Sequence, residues 1–577
     1  MNYLVKKDHK KTWKFEVPLF LCSSVCSSLV MQKKFFIILC LFFSLGATAQ
    51  GISNELLRDL LRNKQLDTTP RNSYMINPNR VDFNELDSLM GSPSSVLHIG
   101  KKQNNIRLRV LPLFIQQQYN SALPYGWNIA PMLPAKGYQT VITTGLQLRA
   151  GKHWVMQVAP EFVYADNKPF EGFSQQLSTA NWTAYYRFLN TTDIPTRFGD
   201  DTYRKILPGQ SSLKYQFKSF AVGISTEQMW WGPGSRNALI MSTNAPGFLH
   251  AGIQTIRPVK TSIGDFEGQL IGGRLSESNI LPPRIFSVDT NGQFLYQPKN
   301  QQWRYMTGMV LSWRPKWVSS LYIGFAKASY LYNTDISSPL DILPLQGFFG
   351  GAVTGAEKAG KKASLGSFFA RYVLPEEHAE IYMEYGRKDV SLMPWNVIRT
   401  DAYRRAYVAG FRKLFIRKRG GAIQLHAELT QMQAPTAELI RDPDSWYTHR
   451  YVRQGYANMG RSLGAGIGPG SNSQSLEISW VKGPKKLGIL FERLRHNSDF
   501  YYYAFEGLKD FRRHWVDLST TFIAAWNYKK WYANAQLAVI RSFNYQWLII
   551  DSDPSNYFVP GNEYLNVSGR MGIGWRF

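Results

Sequence analysis

The sequence predicts an all-β fold, an antiparallel transmembrane β-barrel of the kind found in bacterial outer membranes. Three observations support it: an early segment has the layout of a secretory signal, apolar and polar residues alternate along many short runs, and the last residue is Phe577. The composition agrees, with 17 Trp, 31 Tyr and 34 Phe and a mean hydropathy of −0.28. In such barrels only alternate residues face lipid, and aromatic residues form girdles at both interfaces.

Residues 31–50 are predicted to be the signal peptide. Lys33 and Lys34 precede an apolar run, and small residues precede Gln50, which is the order of a secretory signal. The apolar run is shorter than the roughly 20 residues of a membrane-spanning helix. Residues 1–30 are basic and mixed, and we interpret them either as a mis-assigned start upstream of Met31 or as an extended leader.

All three cysteines lie in this leader, at Cys22, Cys26 and Cys40. The mature chain is therefore expected to have no disulfide, no thiolate metal site and no cysteine nucleophile. No run of 18 or more apolar residues follows the leader, so no transmembrane helix is predicted.

The net charge of +26 becomes +21 once a leader with seven Lys/Arg and two Asp/Glu is removed. A strongly basic chain favours an anionic partner. Export excludes nucleic acid, so the expected partner is lipopolysaccharide or an acidic polysaccharide. The alternative is that the charge lines a solvated lumen.

Residues 51–95 are predicted to form a small periplasmic helical segment. Leu56, Leu57, Leu60 and Leu61 recur at helical spacing, which places them on one face of a helix. A second, shorter helical pattern follows at residues 81–91. We expect this segment to pack under or into the mouth of the barrel.

Residues 96–577 are predicted to form the barrel, because the apolar period changes here from 3.6 to 2. In a strand, such alternation turns one apolar face to lipid and one polar face to the lumen. Only a closed barrel satisfies every backbone group of strands in lipid, although a periplasmic β-sandwich or propeller is the competing fold. The final strand with Phe577 resembles the signal read by the barrel-insertion machinery, which makes that machinery and outer-membrane lipid expected partners. The clearest runs are 321–325, 381–385, 423–429, 476–480 and 571–577.

A distinctive block lies at residues 227–258, where a tryptophan pair and a Gly-Pro-Gly turn precede Asn-Ala-Pro. This block resembles the hallmark of the capsule assembly Wzi family, and the resemblance extends from about Arg107 to Phe577. A glycine-rich run at 447–476 resembles the version in Bacteroidetes-like members. The family-motif residues are Trp230, Trp231, Gly232, Pro233, Gly234, Asn244, Ala245 and Pro246.

The resemblance implies a barrel of about eighteen strands whose periplasmic side is closed by helical elements. It also implies an outer-membrane lectin that anchors or organises capsular or exopolysaccharide at the cell surface, without catalysis. A passive porin-like channel and an outer-membrane lipid or glycan hydrolase are the alternatives.

The candidate polysaccharide-binding residues are drawn from the same block. Trp230 and Trp231 have faces that can stack on sugars, and the glycines and proline after them favour a tight turn. Arg236 and Arg257 suit an acidic glycan, because the guanidinium fork matches a carboxylate, and Asn244 completes the set. Alternatively, the tryptophans brace the barrel wall and the arginines balance lumenal carboxylates.

Enzyme signatures are incomplete. Residues 355–361 match most of a phosphate-binding loop, but Lys362 stands where Ser or Thr should hold Mg²⁺. The sequence contains no HExxH zinc motif. We therefore expect no catalytic residues, no metal site and no cofactor.

Overall fold

The structure, a computed structural model, describes most of the chain. It covers residues 54–66, 72–78, 96–99, 106–288, 291–344, 360–388, 405–434, 445–505, 514–548 and 563–575. The predicted signal peptide, the helical pattern at 81–91, most of the 355–361 loop and Phe577 lie outside these residues, so those interpretations remain predictions.

The described residues contain twenty-four strands, of which twenty-two belong to one sheet. They are β1 (Val96–Ile99), β2 (Ile106–Asn120), β3 (Gly137–Ala150), β4 (Trp154–Val158), β5 (Glu161–Ala165), β6 (Tyr203–Leu207), β7 (Ser212–Phe217), β8 (Phe220–Ser225), β9 (His250–Thr255), β10 (Val259–Thr261), β11 (Gly264–Leu275), β12 (Arg304–Pro315), β13 (Leu321–Tyr332), β14 (Ala363–Leu374), β15 (Ala379–Lys388), β16 (Arg405–Ile416), β17 (Ala422–Gln431), β18 (Ala457–Asn458), β19 (Arg461–Ser462), β20 (Asn472–Lys482), β21 (Lys485–Arg495), β22 (Val516–Tyr528), β23 (Trp531–Phe543) and β24 (Tyr564–Trp575).

The large sheet closes on itself. Strand β2 pairs with β3 on one side and with β24 on the other, for example Ile115 with Ile573. Three barrel strands are each interrupted into two short pieces. The pieces β4 and β5 both pair with β3, the pieces β6 and β7 pair with β5 and β4 respectively, and the pieces β9 and β10 both pair with β11. Counting each interrupted pair once, and leaving out the short β1 beside β2, the described strands form an eighteen-stranded antiparallel barrel. This confirms the predicted fold class.

The predicted alternation is confirmed along the strands. On β15, Ile381 and Met383 are 53% and 55% exposed on the outer face, whereas Glu380, Tyr382 and Glu384 are buried inside. On β20, Leu476 and Ile478 face outward in the same way. An apolar outer face and a polar inner face are what a strand between lipid and lumen requires.

The two ends of the barrel differ. At one end, neighbouring strands are joined by turns of two to five residues, such as Lys218–Ser219 and Gly483–Pro484. At the other end the connections are long, and they include residues 166–202, 226–249 and 432–471. Short turns are typical of the periplasmic end of such barrels.

Four α-helices are described, and the first is the helix expected near the start. They are α1 (Asn54–Gln65), α2 (Thr179–Leu189), α3 (Pro339–Ile342) and α4 (Ser498–Ala504), with 3₁₀ turns at Asn333–Asp335 and Tyr545–Trp547. None of the helices in the described residues has the length and apolar character needed to cross a membrane.

Helix α1 lies inside the barrel near the short-turn end. Its Leu56, Leu57 and Leu61 are buried, and Leu56 packs with Ala525 and Tyr532 of the barrel wall. The amphipathic pattern therefore predicted the helix, and the expected packing into the barrel mouth is confirmed. The second helical pattern, at 81–91, lies outside the described residues.

Candidate functional site

Three long connections fold back into the lumen and join α1 there. We call residues 54–66, 121–136, 226–249 and 445–471 the plug. Backbone bonds join its parts, as where Ser242 N–H donates to Leu463 O at 2.7 Å and Ala130 N–H to Thr243 O at 3.3 Å. Plug residues and inward strand residues pack into one core, which includes Leu239, Ile240, Tyr447 and Met306.

Trp230 and Trp231 are buried wedges in this plug, not members of a long strand. The Trp231 ring lies so close to the wall that a Cβ at Gly308 would be 2.7 Å from it, and its Nε1 donates to Gln269 at 2.9 Å. The Arg58 guanidinium lies 3.7 Å from the centre of the Trp230 ring. With 1% and 0% of their surface exposed, the two tryptophans favour the bracing interpretation, and sugar stacking stays a prediction.

The Gly-Pro-Gly turn is required by close contacts. Gly232 has a φ of +115°, and a Cβ there would lie 2.9 Å from Glu384 Oε2. A Cβ at Gly234 would lie 1.8 Å from the backbone oxygen of Asn237. Only glycine adopts such a φ without strain and permits such an approach, so the motif allows the chain to turn against the lumenal wall.

The residues after this turn cradle a wall carboxylate. The backbone N–H groups of Ser235 and Asn237 donate to Glu428 at 2.6 and 2.8 Å, and that of Arg236 donates at 3.1 Å. Tyr382 also donates to Glu428, at 2.7 Å. A carboxylate that accepts several N–H donors is well satisfied although buried, so Glu428 fixes the turn to β17.

Asn244 joins three parts of the plug. Its Nδ2 donates to Ser462 O at 3.0 Å, and its Oδ1 accepts from Asn128 N–H and Arg461, both at 3.2 Å. The neighbouring Ala245 and Pro246 also use their carbonyl oxygens, which accept from Gln228 and Asn458 respectively. The Asn-Ala-Pro motif therefore organises the plug from within.

The structure brings four of the five candidate binding residues together and leaves one apart. Arg236 donates to Glu55 at 2.6 Å and to Glu492 at 3.1 Å inside the lumen. Arg257 is exposed beside the short turn of β7 and β8, where it donates to Ser219 Oγ at 3.2 Å. Since Arg257 lies at the opposite end of the strands from the plug's long connections, it does not share a site with the other four.

Charged residues hold α1 to the wall. Asp59 accepts from Arg412 at 2.7 Å and from Lys486 at 2.6 Å, while Arg62 pairs with Glu380 at 2.8 Å. Burial alone would raise the pKa of Asp59, but Lys486 and Arg412 outweigh it and hold that pKa well below its usual range. Sequence reasoning missed these anchors, although their helical spacing among leucines was a usable signal.

A cleft remains between the plug and the wall formed by β2 and β21–β24. The space between its walls, counted together with open solvent at its mouth, is about 590 Å³, of which the centres of water molecules can occupy about 50 Å³. Its lining includes Arg58, Trp127, Asn128, Arg236 and Arg570. In the described part of the chain, no group of three His, Cys, Asp or Glu side chains is arranged to hold a metal ion. The cleft therefore combines cationic, aromatic and amide groups.

Comparison with known proteins agrees with this architecture. The family described as "Capsule assembly protein Wzi" matches residues 135–538, more than half of the 577-residue chain. The chain belongs to the capsule assembly Wzi family. The matched range contains the tryptophan pair and both of its downstream motifs, and the membership agrees with the expectation of a non-catalytic outer-membrane protein. Among curated protein sequences, none matches this chain.

A solved structure similar to this Wzi family member is an Escherichia coli outer-membrane protein, Wzi, which is described as involved in group 1 capsule assembly and as a carbohydrate-binding β-barrel. The TM-score is 0.55 at 12% identity, and the match covers 92% of this chain and 100% of that one. OccK2 (OpdF) of Pseudomonas aeruginosa is more distant, with a TM-score of 0.38 at 8% identity over 81% and 96% of the two chains. The first of these supports the barrel fold.

Proposed function

We propose that this Wzi family member is an outer-membrane lectin that anchors or organises capsular or exopolysaccharide at the cell surface. The observation that carries the proposal is the family match over residues 135–538, on a barrel whose lumen is occupied by a packed plug. The similar Escherichia coli barrel is described as carbohydrate-binding, which supports the same ligand class here.

The packed plug disfavours the porin alternative. A passive channel needs an open path, whereas Leu66, just after α1, meets buried residues of the 226–249 and 445–471 connections in one core across the lumen. The hydrolase alternative would need a nucleophile or a carboxylate pair facing a substrate cleft. Around the cleft in the described residues, the carboxylates Glu55 and Glu492 are instead paired with Arg236.

We propose an acidic glycan as the ligand, because the mature chain is strongly basic and arginine binds carboxylates bidentately. In this proposal Arg236 lines the cleft, and Asn244 joins the parts of the plug beside it. Trp230 and Trp231 fix the position of the plug against the barrel wall. Arg257 contributes positive charge at the short-turn end. The Bacteroidetes-like lineage also stays a proposal, supported by the glycine-rich run at 447–476.

Capsule retention tests the proposal in cells. Deleting the gene should release polysaccharide into the medium while total synthesis stays unchanged, because an anchor acts after export. Re-expression of the wild-type barrel should restore the cell-bound fraction. Unchanged cell-bound polysaccharide in the deletion strain would contradict an anchoring role.

Binding by the purified, detergent-solubilised barrel tests the same proposal in vitro. Polysaccharide from the host should bind saturably and less tightly in added salt, because salt screens charge. Arg236→Gln should weaken binding, whereas Arg419→Gln, an exposed arginine in the β16–β17 turn, serves as the matched control. Equal binding by both variants would remove Arg236 from the site.

A further inference from the structure

The cleft beside the plug has a surplus of positive charge. Three guanidiniums line it, those of Arg58, Arg236 and Arg570. Two carboxylates form ion pairs with these guanidiniums. Glu492 pairs with Arg236 at 3.1 Å, and Glu55 lies 2.6 Å from Arg236 but 3.5 Å from Arg570. A concave, partly enclosed surface of one sign concentrates ions of the opposite sign.

Donor atoms in this cleft lack partners. Arg58 is only 4% exposed, yet its Nε and Nη1 make no hydrogen bond, and neither does Nε of Arg236. Burial lowers the pKa of the Arg58 guanidinium to about 10, and the carboxylates of Glu55 and Asp59 offset this only in part. Since leaving a buried charged donor unsatisfied costs free energy, the site favours an additional anion.

Acceptor atoms lack partners in the same place. Gln118 Oε1 and Asn128 Oδ1 are buried without a hydrogen bond, although the amide nitrogens of both side chains are engaged. A simple inorganic anion offers mainly acceptors and cannot satisfy these oxygens. A ligand that carries both a carboxylate and hydroxyl groups satisfies both sets.

An aromatic face completes the cleft. Trp127 is partly buried, and its ring lies edge-on to that of Tyr125 with 5.3 Å between centroids. Tryptophan has a large apolar face with a polar edge, which suits the C–H face of a pyranose ring. The combination of guanidinium, amide oxygen and indole therefore matches a sugar acid better than a phosphate or a neutral sugar.

We propose that this cleft is a subsite for an acidic sugar residue, with the carboxylate held by Arg58, Arg236 and Arg570, the hydroxyls by Gln118 and Asn128, and the ring against Trp127. The inference rests on the proposed lectin function, because it names the ligand chemistry and the place of one subsite. The acidic sugar can be a free uronate or a uronate unit of the polysaccharide, and both present the same chemistry.

Calorimetric titration of the wild-type barrel in detergent tests the chemistry first. Glucuronate and galacturonate should bind saturably, while glucose, galactose and inorganic phosphate should bind at least about tenfold more weakly, because each lacks one of the two groups that the cleft requires. Glucose or phosphate binding as tightly as the uronates would overturn the proposal. This measurement needs no variant, so it does not depend on how the plug tolerates mutation.

Variants then locate the subsite. Arg58→Gln and Arg570→Gln should each weaken uronate binding about tenfold or more, whereas the exposed control Arg419→Gln should leave it unchanged. Trp127→Ala, which removes no charge, should weaken both uronates equally. Uronate binding that survives in the Arg570→Gln and Trp127→Ala variants, with thermal unfolding like that of wild type, would place the ligand elsewhere and overturn the proposal.

Titrations with polysaccharide distinguish a free uronate from a uronate unit of the polysaccharide as the ligand. They also separate the subsite proposal from the proposed lectin function. If host polysaccharide displaces bound glucuronate and its carboxyl-reduced form does not, the ligand is a uronate unit of the chain. If glucuronate binds and no polysaccharide displaces it, the ligand is a free sugar acid. Native and carboxyl-reduced polysaccharide binding equally, without any uronate binding, would overturn the subsite and leave the lectin function intact. Absence of polysaccharide binding altogether would overturn the lectin function itself.

Discussion

Replacing Glu380 by Gln should release α1 from the barrel wall. Three guanidiniums converge on this buried carboxylate: Arg371 at 2.5 Å, Arg62 at 2.8 Å and Arg412 at 3.4 Å. Glutamine keeps the size of the side chain and removes its charge, so three buried cations lose their shared counter-ion. The nearby ion pair of Glu377 and Lys413 has an exposed carboxylate. Replacing Glu377 by Gln is therefore the matched control in the same hairpin.

The structure sets the size of the effect. Removing one partner of a buried ion pair costs roughly 3–5 kcal/mol, and the remaining partners of the three arginines, such as Asp59 on Arg412, keep the loss within that range. If α1 opens locally, the amide exchange rates of residues 54–66 should rise by roughly 10²- to 10⁴-fold. The exchange of wall strands far from β15 should stay unchanged, because their backbone ladder does not involve Glu380.

Hydrogen-exchange mass spectrometry on Glu380→Gln, Glu377→Gln and the wild-type barrel measures this directly. Peptides covering 54–66 should lose protection in the first variant and keep it in the second. Unchanged protection of α1 in Glu380→Gln would refute the reasoning, because it would mean that the leucine face alone docks the helix. Equal loss in both variants would instead indicate a general effect on the hairpin.

Three further predictions concern the same plug. Lowering the pH below about 4 should weaken α1 docking, because the pKa of Asp59 is depressed in the folded protein. The stabilisation that ionised Asp59 contributes is complete above the ordinary aspartate pKa and is lost as the pH falls through the lowered value. Hydrogen exchange corrected for intrinsic rates should show the loss of protection in α1, and constant protection down to pH 2 would contradict the prediction. Gly234→Ala should cost about 1–3 kcal/mol of stability, because its Cβ would meet the Asn237 carbonyl at 1.8 Å, whereas Gly172→Ala, with nothing within 4 Å, should unfold thermally like wild type. In planar bilayers the intact barrel should show no steady porin-like conductance, and an open-channel current of that size would contradict a packed lumen.

The strand pattern was predictable from the sequence because it is a local property. Lipid on one side and the lumen on the other impose a period of two on every barrel strand, so Ile381 and Met383 could be assigned outward and Glu380 and Glu384 inward from their order alone. The helix of Leu56 to Leu61 was predictable for the same reason, since its apolar spacing follows the helical period.

The role of the tryptophan pair was less predictable. The sequence indicated that residues 227–258 matter, and it left sugar stacking and wall bracing as alternatives. The structure favours bracing because Arg58, from α1, covers Trp230, and Gly308, from β12, leaves room for Trp231. These neighbours are far away along the chain, and no local pattern shows that they meet.

The sequence by itself determined the strand alternation, the amphipathic helix, the basic charge and the motif that carries the family resemblance. Only the tertiary structure decided that Arg236 lies in a lumenal cleft with Arg58 and Arg570, and that Arg257 lies at the opposite end of the barrel. The physical reason is that alternation and helical spacing are imposed within a few residues. A site in the lumen depends instead on how a closed barrel brings α1, an inward loop and the last strand to one place.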